Sequence, residues 1–90
     1  MTRDEDSLLE FPCDFPIKVM GRDEDDDFRS EAVAIVEAEV GPLPADAVTT
    51  QPSRNGRFLS VTVTVRAESR EQLDALYRRL SSSERVLVVL

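Results

Sequence analysis

The stretch that decides the fold is RFLSVTVTVRA, residues 57–67. Apolar side chains occupy every second position, and polar or bulky side chains stand between them. Because successive side chains of a strand point to opposite faces of a sheet, this alternation predicts a strand with one face in a core and the other half exposed. The predicted core positions are Leu59, Val61, Val63, Val65 and Ala67.

The residues before this strand predict a hairpin. SRNG, residues 53–56, is expected to form the turn, and Asn55-Gly56 is a dipeptide typical of a two-residue connection. The preceding AVTTQP, residues 47–52, has a weaker strand pattern. Because proline cannot donate a ladder hydrogen bond, Pro52 predicts that this strand lies at an edge of the sheet.

A strand nearer the N-terminus is predicted by FPIKVMG, residues 15–21. Its odd-numbered side chains are apolar and suit the core, so Lys18 and Met20 are expected on the opposite face. Lys18 is the single lysine of a chain with ten arginines, and its aliphatic stem can lie on neighbours while the ammonium reaches water. Gly21 is expected to end the strand, where a positive φ is easily adopted.

Two amphipathic helices complete the pattern. The first is predicted from about Asp26 or Asp27 to Val40, and the aspartates at its start are expected to cap free N–H groups for about 1 kcal/mol. The second, SREQLDALYRRL, opens with Ser69 and Gln72 as a capping box. The buried stripes are expected to be Phe28, Ala32, Ile35, Val36 and Val40 in the first helix and Leu73, Leu76, Tyr77 and Leu80 in the second.

The chain closes with RVLVVL, residues 85–90, a short strand. The order β-α-β-β-α-β predicts an α+β ferredoxin-like sandwich, in which two helices cover one face of a four-stranded antiparallel sheet of order 4-1-3-2. This order places the Pro52 strand at an edge and the long Val/Thr strand inside. We expect one domain over residues 11–90, preceded by an acidic flexible tail over residues 1–10.

Composition narrows the class of protein. No apolar run approaches the roughly 20 residues that span a bilayer, and the acidic N-terminus lacks the apolar core of a signal peptide, so we expect a cytoplasmic protein without a membrane segment. Cys13 is the single cysteine and has no partner for an internal disulfide.

Charge is unevenly distributed along the chain. The net charge is −7; residues 1–46 carry fourteen acids against four bases, whereas residues 47–90 carry four acids against seven bases. Because an acidic protein is repelled by phosphate backbones, nucleic acid is not an expected partner.

The side chains that usually carry catalysis are scarce. Histidine is absent, which removes Cys-His and Ser-His nucleophile pairs and, with one cysteine, the usual zinc and iron sites. The acidic run of residues 23–27 fails as a calcium loop, since Phe28 stands where glycine is needed and Ala34 where the last glutamate belongs. We therefore expect no enzyme activity, no cofactor and no metal site, and interpret the run as helix capping and solvated charge.

Three blocks in order resemble the YbeD-like family of bacterial proteins, domain of unknown function 493. They are LLEFPCDFPIKVMG, RNGRFLSVTVTVRAESREQLDALYRRL and RVLVVL, and the resemblance covers nearly the whole chain beyond residue 7. It implies the same ferredoxin-like fold, similar to ACT-type regulatory domains that sense amino acids and other small molecules. It supplies no catalytic motif. Some members are encoded beside lipoate-attachment enzymes, which suggests a link to lipoate metabolism.

These observations favour a non-enzymatic regulatory or protein-binding module that acts on a metabolic enzyme. The ACT resemblance implies a ligand site at the first strand-to-helix turn, formed by Gly21, Arg22, Asp23 and Asp27, where arginine suits a carboxylate and aspartate an amine. The alternative is a small enzyme or sensor that acts on an anionic metabolite through Lys18, Arg54 and Arg57, because arginine can bind phosphate or carboxylate through two donors.

The uncovered sheet face offers a contact surface. It is expected to hold Lys18, Met20, Phe58 and Thr62, together with either Leu87 or Val89. Exposed apolar patches usually mark contacts. This face or the Pro52 edge is therefore a candidate site for a protein partner or for a second copy in a homodimer, although isolated exposed apolar residues also need no explanation.

Overall fold

The computed structural model of the protein describes residues 10–90. The predicted tail, apart from Glu10, lies outside the described residues. The elements are β1 (Cys13–Arg22), α1 (Phe28–Val40), a 3-10 turn (Ala45–Ala47), β2 (Val48–Pro52), β3 (Phe58–Ala67), α2 (Arg70–Ser81) and β4 (Val86–Val89).

The sheet confirms the predicted topology. Its four strands are antiparallel in the order β2-β3-β1-β4, which is the order 4-1-3-2 read from the opposite edge. The strand that ends in Pro52 is an edge strand, and β3 lies inside. The ferredoxin-like α+β fold is thus the observed one.

Both helices contribute to one core on one side of the sheet. The odd-numbered residues of β1 and β3 from Ile17 and Val61 onward point into it, as their alternation predicts. Burial of these branched side chains is the main source of stability, at roughly 1.5–3 kcal/mol for each complete side chain. The buried set is Ile17, Val19, Phe28, Ala32, Val36, Val61, Val63, Val65, Ala67, Leu73, Leu76 and Leu80.

Gly21 has a different role from the predicted one. It does not end β1, which continues to Arg22, and its φ is not positive. A Cβ added at Gly21 would lie 2.5 Å from Cδ1 of Phe28, the first residue of α1 and fully buried. Glycine is needed here because an aromatic ring packs directly on the backbone.

The start of α1 also corrects the prediction. Asp27 precedes the helix with helical dihedrals, φ −93° and ψ −5°, and its side chain caps no N–H group. The carboxylate of Asp25 instead accepts a hydrogen bond from the N–H of Asp27 at 3.1 Å. At α2 the predicted Ser69 cap is confirmed, since Ser69 Oγ accepts from the N–H of Gln72 at 3.1 Å. The return bond of the capping box is displaced by one residue, because the Gln72 side chain accepts from the N–H of Glu68 and not from that of Ser69.

The hairpin between β2 and β3 is longer than predicted. The N–H of Gly56 donates to the carbonyl of Ser53, which confirms the SRNG turn, but the strands close between Ser53 and Phe58 rather than around Asn55-Gly56. Gly56 alone of the pair has a positive φ, 75°, so a two-residue type I′ turn is excluded. Asn55 contributes through its side chain, which accepts from the N–H of Arg57.

β4 joins the sheet with an irregularity that changes which of its side chains face outward. The pairing register shifts between Met20 and Gly21, and Leu90 exchanges backbone hydrogen bonds of 2.8 and 3.1 Å with Lys18. Val88 and Leu90 therefore lie on the uncovered face. Of the two residues predicted for that face, Val89 is wrong, because it packs against the core, whereas Leu87 is 43% exposed and lies at the register shift without a paired position.

Tyr77 of α2 fastens the last residue of this strand to the helix layer. Its hydroxyl donates to the carbonyl of Leu90 at 3.2 Å. Burial raises the pKa of Tyr77 above its usual value, so the hydroxyl remains a donor over the physiological range.

Candidate functional site

The uncovered sheet face carries the four side chains predicted for it. Lys18 lies opposite Thr62, and the next outward pairs along the strands are Met20 with Ser60 and Arg22 with Phe58. Lys18 is exposed and the other three predicted residues are half-buried. We call this surface, formed by the even-numbered residues of β1 and β3 with Val88 and Leu90, the open face.

The open face is basic although the chain is acidic. In β1 and β3 its ionised side chains are Lys18, Arg22 and Arg66 against the single carboxylate of Asp14. Asp14 pairs with Arg66 at 3.4 Å. Lys18 and Arg22 make no ion pair with any of residues 10–90, so their charge is available to a partner.

Apolar area adjoins these cations. Val88 is 43% exposed and Leu90 is 62% exposed, and both lie beside Lys18 and Met20 in the sheet. An apolar patch with unpaired cations around it has the composition of a contact surface for an anionic, partly apolar partner.

A groove joins two residues that the sequence assigned to separate sites. Arg22 and Arg57 line a cavity of about 390 Å³ together with Asp23, Glu24 and Phe58. The N–H of Asp23 donates to the carbonyl of Arg57 at 3.0 Å, which holds the β1–α1 loop against the β2–β3 hairpin. We call this cavity the Arg22 groove.

The three cations of the alternative hypothesis are not brought together. Arg57 lines the Arg22 groove, whereas Lys18 and Arg54 do not. Lys18 lies opposite Thr62, five residues along β3 from Arg57, which corresponds to about 16 Å of extended strand.

A cluster around Arg85 was missed by the sequence reasoning. The Arg85 guanidinium contacts Asp25 Oδ1 at 2.5 Å, Glu31 Oε1 at 3.3 Å and Asp27 Oδ2 at 3.7 Å. The second oxygen of Glu31 accepts from Ser83 Oγ. We call these five residues the Arg85 cluster. It ties the start of α1 to the loop before β4, across 60 positions of sequence from Asp25 to Arg85.

The Arg85 cluster explains the acidic run and divides the predicted ligand site. Asp27 faces Arg85, and Gly21 is closed by the Phe28 ring, so of the four predicted residues only Arg22 and Asp23 line the Arg22 groove. A larger groove of about 660 Å³ lies on the cluster itself and also reaches Arg22. Four of the polar side chains that line it, those of Asp25, Glu31, Ser83 and Arg85, contact one another.

Two further observations concern the part of the chain that the structure describes. In residues 10–90, no three carboxylate or cysteine side chains gather in an arrangement that would hold a metal ion. Within the same residues, neither helix has the length and hydropathy of a bilayer-spanning segment.

The sequence and fold match known proteins. A family model described as protein of unknown function DUF493 covers residues 6–90. The chain belongs to this family. It is 47% identical over 90 residues to a UPF0250 protein of Paraburkholderia phytofirmans, with 100% of both chains covered. A UPF0250 protein of Neisseria gonorrhoeae is 44% identical over 92 residues, again with 100% of both chains covered.

A solved structure extends the likeness to the fold. The solution structure of protein HP0495 from H. pylori superposes with a TM-score of 0.66, at 18% identity, and the match covers 100% of this chain and 97% of that one. At this identity, the likeness concerns the fold of the DUF493 chain alone. The family resemblance inferred from the sequence blocks is confirmed.

Proposed function

We propose that this DUF493 protein is a non-enzymatic binding module that docks an acidic, partly apolar segment of another protein on its open face. The supporting observation is the reversal of charge: a chain of net charge −7 places Lys18 and Arg22, both without ion pairs in residues 10–90, next to exposed Val88 and Leu90. Complementary charge speeds encounter and selects partners.

The chemistry of the open face argues for a different protein rather than for two open faces in contact. Apposing two copies there would bring the Lys18 and Arg22 side chains of both copies together, and like charges across an interface oppose association. An acidic segment would pair with the same cations while its apolar residues cover Leu90.

The family resemblance suggests what the partner does. We propose that the module regulates a metabolic enzyme in the cytoplasm, and enzymes of lipoate attachment are the first candidates. This part of the proposal rests on the resemblance, whereas the docking surface rests on the charges and exposures above.

The single lysine allows a direct test. A carbodiimide joins a lysine amine to a carboxylate in contact with it and adds no spacer, so treatment of the protein in a bacterial lysate should link Lys18 to an Asp- or Glu-containing peptide of the partner. Mass spectrometry then identifies both ends of the link. Lys18→Arg keeps the charge and removes the amine, so it should retain the partner in a pull-down and lose the crosslink.

Lys18→Glu tests the charge itself. We expect it to lose the partner, while Arg78→Glu, an equivalent reversal on exposed α2, keeps it. Recovery of the same partner by the Lys18→Glu protein, or crosslinks that never involve Lys18, would contradict docking on the open face.

A second candidate function is favoured by the Arg22 groove. Arg22, Arg57 and the half-buried Phe58 line one cavity together with the acids Asp23 and Glu24, and arginine binds carboxylates through two parallel hydrogen bonds. We propose that a small carboxylate, sensed as a regulatory ligand, would bind there.

Thermal unfolding in the presence of amino acids and lipoate-related acids checks this second candidate. A binding acid should raise the melting temperature of the wild type and of Arg78→Gln, and should have no effect on Arg57→Gln. If no acid stabilises the wild type, or if Arg57→Gln responds like the wild type, the groove is not a carboxylate site.

A further inference from the structure

β2 is short and ends in Pro52, two features that protect a sheet edge, but it lacks the charged side chains that usually do so. Natural edge strands commonly carry charges, above all lysine, that prevent pairing with another chain. The five residues of β2, VTTQP, carry no charge, and four of them are exposed. Pro52 removes one donor at one end of the strand and leaves the rest available.

The backbone direction at this edge follows from the hairpin. The N–H of Ser53 donates to the carbonyl of Phe58, directly opposite, at 2.8 Å. Because the backbone groups of alternate residues in an antiparallel strand point to opposite sides, Thr49 and Gln51 point toward β3. The backbone groups of Val48 and Thr50, and the carbonyl of Pro52, therefore point away from the sheet.

We propose that a second copy of this chain pairs with this edge, β2 against β2 and antiparallel, with Thr50 on the two-fold axis. Thr50 then faces Thr50 of the second copy and exchanges two hydrogen bonds with it. Val48 donates to the carbonyl of Pro52 of the second copy, and the symmetric bond forms in return. Because Pro52 has no N–H, the bond from its nitrogen to the carbonyl of Val48 of the second copy is absent at each end, and the other bonds of this register can form.

Charge selects this register among those that the edge permits. Around a centre at Thr50, Asp46, in the 3-10 turn before β2, and Arg54 of the second copy, in the turn after its β2, come to the same end of the paired segment, and the symmetric pair meets at the other end. Both residues are exposed, and neither has an ion-pair partner within residues 10–90. A shift of two residues in the pairing of the strands would move these two charges apart, so they favour the Thr50-centred pairing.

The contact that forms this dimer lies on the edge of the sheet and leaves the open face free. A two-fold axis perpendicular to the sheet joins the two sheets into one of eight strands, with all four helices on one side and both open faces on the other. Each dimer would present two docking surfaces in the same direction. This inference stands independently of the docking proposal, since β2 contributes the contact.

Disulfide trapping tests the register. In a Cys13→Ser background, Thr50→Cys places two thiols across the axis at a Cα separation of about 5.5 Å, which suits a disulfide. Oxidised glutathione should convert most of this protein to a covalent dimer. Gln51→Cys is the matched control, because Gln51 is also exposed but would face Thr49 of the second copy and should form no covalent dimer.

Charge exchange tests the same contact without a covalent bond. In sedimentation equilibrium we expect Asp46→Arg and Arg54→Asp each to raise the dimer dissociation constant about tenfold, since each replaces two ion pairs with two repulsions. The double variant D46R/R54D restores the pairs and should return within about threefold of the wild type. Arg78→Asp, on α2, should leave the constant unchanged.

Three results would overturn the proposal. The first is a wild type that stays monomeric up to about 0.5 mM, so that its dissociation constant lies in the millimolar range or above. The second is a double variant as weak as either single variant. The third is trapping of Gln51→Cys as efficiently as Thr50→Cys.

Discussion

The two helices of this protein begin in different ways, although both starts looked alike in the sequence. At α2, Ser69 is extended, with φ −160° and ψ 164°, and its hydroxyl caps the N–H of Gln72. At α1, Asp27 already has helical dihedrals, and its carboxylate faces Arg85 instead. A side-chain cap needs an extended residue before the helix, so backbone conformation, and not residue type alone, decides whether an aspartate caps.

The two helix starts also differ in how far along the sequence their stabilising residues lie. The start of α2 is stabilised by residues within four positions of one another. The start of α1 depends on a ring packed against Gly21 and on a guanidinium from the loop before β4. We therefore expect substitutions around α1 to act through distant residues, and substitutions at α2 to act locally.

The largest loss of unfolding free energy is expected from Gly21→Ala. The new Cβ would meet the Phe28 ring at 2.5 Å, so α1 must shift or the ring must leave its buried position. Overpacking of this kind costs about 2–3 kcal/mol of unfolding free energy, measurable by urea denaturation. Gly56→Asn is the control, because Gly56 has open space around it and asparagine tolerates its positive φ. An unchanged midpoint for Gly21→Ala would mean that the ring does not fix α1.

The second-largest loss of unfolding free energy is expected from Arg85→Leu. It leaves the carboxylates of Asp25, Asp27 and Glu31 close together without their common cation, and we expect a loss of about 1–2 kcal/mol at low salt. Because salt screens charge, the loss should shrink in 1 M sodium chloride to about the level of an ordinary surface substitution. Arg78→Leu, which breaks no ion pair among residues 10–90, should cost little at either salt concentration. Equal losses for both variants would show that the cluster does not stabilise α1.

Ser69→Ala tests the local start. It removes the acceptor for the Gln72 N–H and should lower the unfolding free energy by about 1 kcal/mol, independent of salt. Ser69→Asp keeps an acceptor and should stay close to the wild type. A salt-dependent loss at Ser69→Ala would contradict the assignment of a neutral cap.

The smallest loss of unfolding free energy is expected from Asp27→Ala. Its carboxylate is exposed and lies 3.7 Å from Arg85, so the loss should stay below about 0.5 kcal/mol. This small value sharpens the comparison, since a capping aspartate would cost about as much as Ser69→Ala. A loss of 1 kcal/mol or more would restore the capping role that the sequence suggested for Asp27.

The elements of the fold could be predicted because their signals are local. The alternation in residues 57–67 and the apolar stripes of the helices need only neighbouring positions, and both helix ranges were correct to within one or two residues. Pro52 likewise carries its edge preference in its own covalent structure.

The interactions of the candidate sites could not be predicted because they join distant segments. Nothing near Arg85 in the sequence indicates three acids that lie 54 to 60 positions earlier. Arg22 and Arg57 share a groove only because β1 pairs with β3. The orientation of β4 was missed because a register shift beside Gly21 changes which residues face outward, and alternation alone does not reveal a shift.

The separation of charge between the open face and the start of α1 gives the molecule a permanent electric dipole moment. A charged partner would feel its field at a distance of about 10 Å at 0.1 M salt, and the torque would turn the positive side toward an acidic surface before contact. Orientation during diffusion, and not the strength of the final contacts, would then set how fast the two molecules find each other.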